Sequence, residues 1–356
     1  MRRLVLKIHL VIALIAAAFM VVLGATGSVI AFEPELDRLL HPGLSYVAPT
    51  GKVLSLAEIG NAASRKYGGE PIVAFLLSAS PHVPIQVIMP RGIAVVNQYT
   101  GEILGVRTRG QTFLGFARAL HVRLATGDVG RNIVRWSAFA MLFSLLTGLY
   151  LWWPLKRVRI RGPWWSRGFW FDLHNVIGIL SLLPLLVLAG TGTVIAFEDQ
   201  VAALLDKPAG SDPVHTPPAL ARSEPEPESE SGLIQITLDQ AVAIAATQLP
   251  GAVPYRVQMP QYGGVYIVAL TFLDDRIAGE RNSVSINPMN GKIIATTRSA
   301  ELSTRERFMA TNEAIHTGTI LGIPGRTIAA LVSILLPVQA LSGLIMWLRR
   351  ARIARP

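Results

Sequence analysis

The chain of 356 residues contains no cysteine and few charged residues. Without cysteine it can form no disulfide, no iron–sulfur cluster, no covalently attached c-type haem and no thiol-based active site. Only 16% of its residues are Asp, Glu, Lys or Arg, whereas a soluble protein carries about 25%. Hydrophobic residues make up 51% of the chain, so a membrane protein is expected.

Four apolar stretches are almost free of charge. Each is long enough, at about 1.5 Å per residue, to cross a hydrocarbon core of roughly 30 Å. The first could instead be a signal peptide, but its apolar run is too long, no small-residue cleavage site follows, and the same pattern recurs inside the chain. We therefore predict transmembrane helices within Ile8–Phe32, Ile133–Trp153, Leu173–Phe197 and Thr327–Leu348.

Lysine and arginine cluster in three short segments: the N-terminus, the loop between the second and third apolar stretches, and the C-terminal tail. Such segments stay on the cytoplasmic side, so a multi-pass protein of a bacterial inner membrane with both termini in the cytoplasm is predicted. These segments hold twelve Lys and Arg residues against a single Asp, which accounts for the whole formal net charge of +10. The excess of basic residues is therefore explained by the orientation of the chain in the membrane. Membrane lipid is the predicted partner, and no nucleic-acid partner is predicted.

The two halves of the sequence resemble each other. A shift of 165 residues aligns the first apolar helix with the third, and a shift of 195 residues aligns the second with the fourth. Two offsets that differ by 30 indicate one duplicated unit with an insertion in its second copy. The predicted fold class is an all-α four-helix transmembrane bundle with pseudo-two-fold symmetry. The matched residues are His9 with His174, Gly27 with Gly192, His121 with His316, and Gly148 with Gly343.

A soluble segment lies between the helices of each half, at about 50–110 and 235–300. Each begins with an amphipathic helix pattern, Leu54–Tyr67 and Leu238–Leu249, and continues in short alternating runs that are typical of strands. Both end in a hairpin pattern, VVNQYTGEIL and VSINPMNGKII. Two small α+β periplasmic domains are expected.

The insertion, Asp206–Gly232, is rich in proline, serine and glutamate and is expected to be a flexible linker. The chain accordingly divides into transmembrane helix 1 (1–33), a periplasmic domain (34–112), an outer histidine segment with helix 2 (113–153), a cytoplasmic loop (154–171), helix 3 (172–198), a flexible periplasmic linker (199–234), a second periplasmic domain (235–300), a second outer histidine segment with helix 4 (301–348) and a cytoplasmic tail (349–356).

Four of the seven histidines belong to the repeat. His9 and His174 begin helices 1 and 3 on the cytoplasmic side, whereas His121 and His316 precede helices 2 and 4 on the outer side. These depths allow two cross-half pairs, because roughly 25 Å of bilayer separates the levels. Six-coordinate haem iron needs one imidazole on each side of a flat macrocycle, so two b haems are predicted. A zinc or copper site is the alternative, although zinc usually takes further protein ligands.

The repeated glycines lie at the same two levels. A porphyrin between helices needs helix surfaces without side chains at its own depth, so each histidine pair is predicted to face a glycine pair; helix packing alone is the alternative role. The outer glycine pair is Gly27 and Gly192, and the inner pair is Gly148 and Gly343. On the outer side, the candidates to bind haem propionates, or simply to be solvated, are Arg123, Arg131 and Arg326.

Taken together, these features resemble the PepSY-associated transmembrane family. The resemblance lies in the duplicated histidines, the Thr-Gly near the ends of helices 1 and 3, LHVRLATGDVGRNIV (120–134) and GLYLWWP (148–154), and it covers nearly the whole chain. The soluble segments, with TGEIL and NGKII, resemble PepSY domains. Where the family usually has Leu-His-Arg, this chain reads Ile-His-Leu, Leu-His-Val, Leu-His-Asn and Ile-His-Thr. The resemblance implies that the haem ligands are His9, His121, His174 and His316.

The family includes ferric-siderophore reductases of bacterial inner membranes. The resemblance thus implies a di-haem b-type reductase that passes electrons to a ferric siderophore or another Fe(III) chelate in the periplasm, releasing Fe(II). The sequence contains no dinucleotide-binding glycine motif and no flavin domain, so quinol or a separate reductase is the expected electron donor. Two alternatives stay open: a regulatory or binding protein without redox activity, and a transporter of haem or siderophore.

Overall fold

A computed structural model of the chain describes most of the sequence. The predicted linker Asp206–Gly232 lies outside the described residues, as do the side chains of residues 350–353. The described ranges are 1–107, 112–205, 236–260, 264–272 and 282–353.

Four helices are long and apolar enough to cross a membrane, as predicted. Each begins five or six residues before its predicted start, because polar residues continue the helix beyond the apolar run. Ser166, for example, accepts a hydrogen bond from the Phe169 amide and so starts the third long helix at Arg167. The helices are α1 (Arg2–Ile30), α2 (Glu33–Leu40), α3 (Leu56–Lys66), α4 (Phe113–Arg123), α5 (Gly127–Trp152), α6 (Arg167–Ala196), α7 (Glu198–Leu205), α8 (Leu238–Gln248), α9 (Thr304–Thr317) and α10 (Gly322–Ile353).

The four long helices form a bundle in which α1 and α6 each pack against both α5 and α10. Helix α1 approaches α10 closely at Gly24. A Cβ atom at this position would lie 2.6 Å from both the Ser333 carbonyl oxygen and Pro337 Cδ. Small residues allow such close helix contacts in membranes, where burial of apolar surface against lipid gives little driving force.

We expect Gly24→Ala to destabilise the bundle by about 1–3 kcal/mol, because the backbone of α10 cannot move aside as a flexible side chain could. The measurement is thermal unfolding of the detergent-purified protein. Gly190→Ala in α6 is the matched control, since an added Cβ there meets no atom within 4 Å. Equal unfolding temperatures for the two variants would contradict the close contact.

The strands form one antiparallel sheet of eight strands, in the order β4-β3-β2-β1-β5-β6-β7-β8. The two soluble segments are joined where β1 pairs with β5, with Phe75 opposite Val257. The sequence predicts a domain in each half but gives no indication of this pairing. The strands are β1 (Ala74–Leu76), β2 (Ile85–Met89), β3 (Gly92–Val96), β4 (Ile103–Arg107), β5 (Val253–Gln258), β6 (Tyr266–Thr271), β7 (Asn282–Ile286) and β8 (Ile293–Thr297).

Helices α3 and α8 share one hydrophobic core with the sheet, in which Ile59, Ala241 and Val268 are fully buried. Both helices begin with a capping box, which fixes their first turn. The predicted amphipathic helices and both hairpins are confirmed; the hairpin turns place Gly101 and Gly291 at φ 74° and 71°. Of the predicted linker, residues 199–205 lie in α7.

Candidate functional site

The outer histidines come together at the ends of two short helices. His121 lies in the last turn of α4 and His316 in the last turn of α9. Their ring centroids are 6.5 Å apart and their planes are inclined by 45°. Both helices end in a left-handed residue, Leu124 after α4 and Gly318 after α9, which turns the chain into the following long helix.

Each outer histidine is hydrogen bonded to a neighbouring long helix, His121 to α1 and His316 to α6. Because a carbonyl oxygen can only accept, the Nδ1–H donates and the neutral ring keeps its lone pair on Nε2. The threonine hydroxyls nearby donate to their own helix and can therefore accept from the same Nδ1–H. The Nδ1 distances are 3.0 Å to Leu23 O and 3.2 Å to Thr26 Oγ1 for His121, and 3.1 Å to both Leu188 O and Thr191 Oγ1 for His316.

The inner histidines are also hydrogen bonded through Nδ1 to a neighbouring long helix, but here the histidines lie on α1 and α6 and their partners on α5 and α10. His9 in α1 places Nδ1 2.9 Å from Thr147 Oγ1 of α5. His174 in α6 places Nδ1 3.1 Å from Gln339 O and 3.0 Å from Ser342 Oγ of α10. The Thr147 and Ser342 hydroxyls donate to main-chain carbonyls of their own helices, so again Nδ1 is the donor and the lone pair lies on Nε2. Among the described residues, the inner rings form no ring contact like that of the outer pair.

All four repeated glycines lie against the Cε1 edge of a histidine ring. The sequence predicts that these glycines leave room at the levels of the histidine pairs, and in the structure the adjacent group is the imidazole itself. An added Cβ would crowd the ring at Gly192, Gly27 and Gly343, and would lie at an ordinary contact distance from it at Gly148. The distances from an added Cβ to Cε1 are 2.8 Å for Gly192 and His316, 3.0 Å for Gly27 and His121, 3.3 Å for Gly343 and His174, and 3.5 Å for Gly148 and His9.

The electrostatics of the outer pair favour neutral rings. Burial and, to a smaller extent, the nearby His316 lower the pKa of His121 to about 4. Burial likewise lowers the pKa of His316. Neutral imidazole, with one nitrogen hydrogen bonded and the other free, is the form that ligates a metal.

A cavity of about 2370 Å³ lies beside the outer pair; it is lined mainly by the long helices and by α4 and α9, with Ile93 and Arg107 of the sheet at its edge. Both His121 and His316 line it, together with Gly27 and Gly192. Its volume exceeds the roughly 300–1,000 Å³ of an ordinary small-molecule pocket. The cavity is therefore larger than one ordinary small ligand requires.

The three candidate arginines all line this cavity, but their contacts differ. Arg326 is engaged: it donates to Ala31 O and to the Glu35 carboxylate. Arg131 is mostly exposed and lies 3.9 Å from Asp128, the residue three positions before it in α5. Arg123 forms no ion pair within the described part of the chain, so its charge is available to an anionic ligand.

A family model describing the PepSY-associated TM region matches residues 6–350. The chain belongs to the PepSY-associated transmembrane family. This confirms the membership that the sequence motifs indicate, and the match spans all four long helices together with the sheet. A search of curated proteins finds none that matches the chain.

The Thr-Gly pairs of α1 and α6 are recognisable motifs of this PepSY-associated protein, but the sequence does not identify their hydroxyls, or those of α5 and α10, as partners of the histidines. Each hydroxyl residue directly precedes one of the four glycines, so a hydroxyl-glycine pair occurs at every histidine. The signal was present in the repeat, since the pairs align at both offsets. No group of three or more His, Asp or Glu side chains able to hold a metal ion occurs in the described ranges. The hydroxyl-glycine pairs are Thr26-Gly27, Thr147-Gly148, Thr191-Gly192 and Ser342-Gly343.

Proposed function

We propose that this protein is an inner-membrane di-haem b-type reductase that passes electrons across the membrane to a periplasmic ferric chelate, such as a ferric siderophore. The observation that carries the proposal is the outer histidine pair. His121 and His316 lie 6.5 Å apart between ring centroids, each with Nδ1 bound to a carbonyl and Nε2 left with its lone pair.

The outer pair fits the dimensions of a bis-imidazole haem site. An imidazole nitrogen lies about 2.0–2.1 Å from a bound metal such as zinc. Similar bonds on both faces of a haem iron place the two ring centroids roughly 6 Å apart, close to the 6.5 Å observed. His121 and His316 would hold the iron, and Arg123 would bind a propionate. Bound haem would supply one-electron transfer.

The inner pair supports a second site at the other membrane face. His9 lies on α1 itself, and Gly27, which contacts His121, lies 18 residues further along the same helix. At 1.5 Å per residue the two levels are about 27 Å apart, which approaches the roughly 30 Å of the hydrocarbon core. Two sites at these depths would let electrons cross the bilayer, with His9 and His174 as the inner ligands.

The symmetry and topology belong to the same proposal. From each edge of the sheet to its middle the strands follow the same order, β4-β3-β2-β1 in one half and β8-β7-β6-β5 in the other. The histidine contacts also recur in matched pairs. Both features support two PepSY-like units and a pseudo-two-fold bundle. The basic loop and termini support a cytoplasmic location for both chain ends, which leaves the sheet and the cavity in the periplasm.

The chelate would be reduced at the periplasmic side. One-electron reduction converts Fe(III) to Fe(II), which hard oxygen ligands bind more weakly, so that iron is released for uptake. The electron is supplied from outside this chain, by quinol or by a separate reductase. The cavity beside His121 and His316 is large enough to admit a second molecule next to a haem.

An absorption spectrum of the purified protein tests the proposal. We expect Soret and α bands of b haem after reduction with dithionite, and two haems per chain by pyridine haemochrome. In vesicles containing the protein and an internal reductant, external ferric citrate should be reduced, as detected with a ferrous-specific chelator. A protein that folds and binds no haem would contradict the proposal and favour the regulatory alternative.

A further inference from the structure

The side chain of Gln339 distinguishes the two inner histidines. Its Nε2 lies 3.2 Å from Nε2 of His174. His174 Nδ1 donates to the main-chain carbonyl of Gln339, so the ring nitrogen Nε2 carries the lone pair. The side-chain amide of Gln339 must therefore be the donor to Nε2. The nitrogen that would bind iron is therefore already hydrogen bonded.

The described residues of the first half form no equivalent of this contact. Gln339 aligns with Ser144, and Gly178, which faces the amide, aligns with Ala13. A Cβ at position 178 would lie 2.9 Å from Gln339 Nε2. Gly178 on α6 thus leaves the space that the longer side chain of Gln339 on α10 occupies. Relative to the first half, the change from serine to glutamine therefore accompanies the change from alanine to glycine.

At the other end of the amide, the oxygen has no hydrogen-bond partner in the part of the chain that the structure describes. Gln339 Oε1 is buried without a hydrogen bond among the described residues, as is the hydroxyl of Ser144. The described contacts therefore hold the Gln339 amide through His174 alone. An amide held by one contact can leave it when a stronger ligand takes the same nitrogen.

We propose that the Gln339 amide competes with haem iron for His174 Nε2 and so weakens haem binding at the inner site. This rests on the proposed function. A neutral hydrogen bond shifts an equilibrium by roughly a factor of two to ten. Removing it should therefore tighten the binding of the inner haem by that factor, whereas damage to a merely structural contact would weaken it.

The test uses full-length protein carrying His316→Ala, which leaves only the inner site. Haem is added to the haem-depleted protein in detergent, and the dissociation constant is read from the Soret band. We expect Gln339→Ser, which restores the residue of the first half, to lower the dissociation constant about two- to tenfold. Gly178→Ala should do the same without altering Gln339, because the added Cβ displaces the amide. The double variant should gain no more than either single change.

Gly190→Ala on the same helix is the control and should leave the dissociation constant unchanged, since the added Cβ meets nothing within 4 Å. If His316→Ala does not fold, His121→Ala provides the same background. If the wild-type protein binds two haems but Gln339→Ser leaves inner-haem binding unchanged or weaker, the competition is overturned and the proposed function is not. A wild-type protein that binds no haem contradicts the proposed function and the competition with it.

Discussion

Replacing His316 with alanine is expected to remove one haem from the protein and leave the other. Loss of an axial ligand should weaken outer-haem binding by more than about 100-fold, since even a change in a residue that merely orients a ligand weakens metal binding 10- to 100-fold. His9→Ala should remove the inner haem in the same way. The measurement is haem per chain by pyridine haemochrome, which should fall from two to one in each variant, and reduction of external ferric citrate should stop in both.

The control for these substitutions is His82→Ala. His82 lies outside the repeat and stacks on Tyr46, with the ring centroids 5.2 Å apart. This variant should keep both haems. If His316→Ala retained two haems, or if a folded His9→Ala protein lost both, the assignment of the ligands in pairs would be wrong.

The membrane helices could be predicted from the sequence because their signal is local. A run of apolar residues such as Ile8–Phe32 specifies a span by its length and its lack of charge. The joining of the soluble segments could not be predicted in this way. Phe75 in β1 pairs with Val257 in β5, far away in the sequence, and the alternating pattern of a strand does not indicate which strand lies beside it.

The sequence singles out four histidines because the repeat sets them apart from His41, His82 and His215, and their role as ligands stays a prediction. Their hydrogen-bond partners depend on which helices are neighbours. Thr147 lies on α5 and its histidine, His9, on α1, so no spacing along the chain relates them. Gln339 is harder still to predict, because it departs from the repeat that identifies the other site residues.

The second large effect is expected for Gly192→Ala. An added Cβ would lie 2.8 Å from Cε1 and 3.3 Å from Nδ1 of His316. The ring must then move away from Leu188 O and the Thr191 hydroxyl, which orient it. Disturbing such an orienting contact should weaken outer-haem binding by about 10- to 100-fold. Haem titration of the His9→Ala background, which leaves only the outer site, measures the change.

The four glycines offer a graded comparison, because the space beside each ring differs. Gly192 is the most confined, and at Gly148 an added Cβ would lie 3.5 Å from His9 Cε1, an ordinary contact distance. Gly148→Ala should therefore change inner-haem binding little, and Gly190→Ala, two residues from Gly192 on α6, should change outer-haem binding not at all. A larger loss for Gly148→Ala than for Gly192→Ala would show that these glycines make room for something other than the imidazoles. The order of the losses thus distinguishes space for the histidine ring from space for the porphyrin.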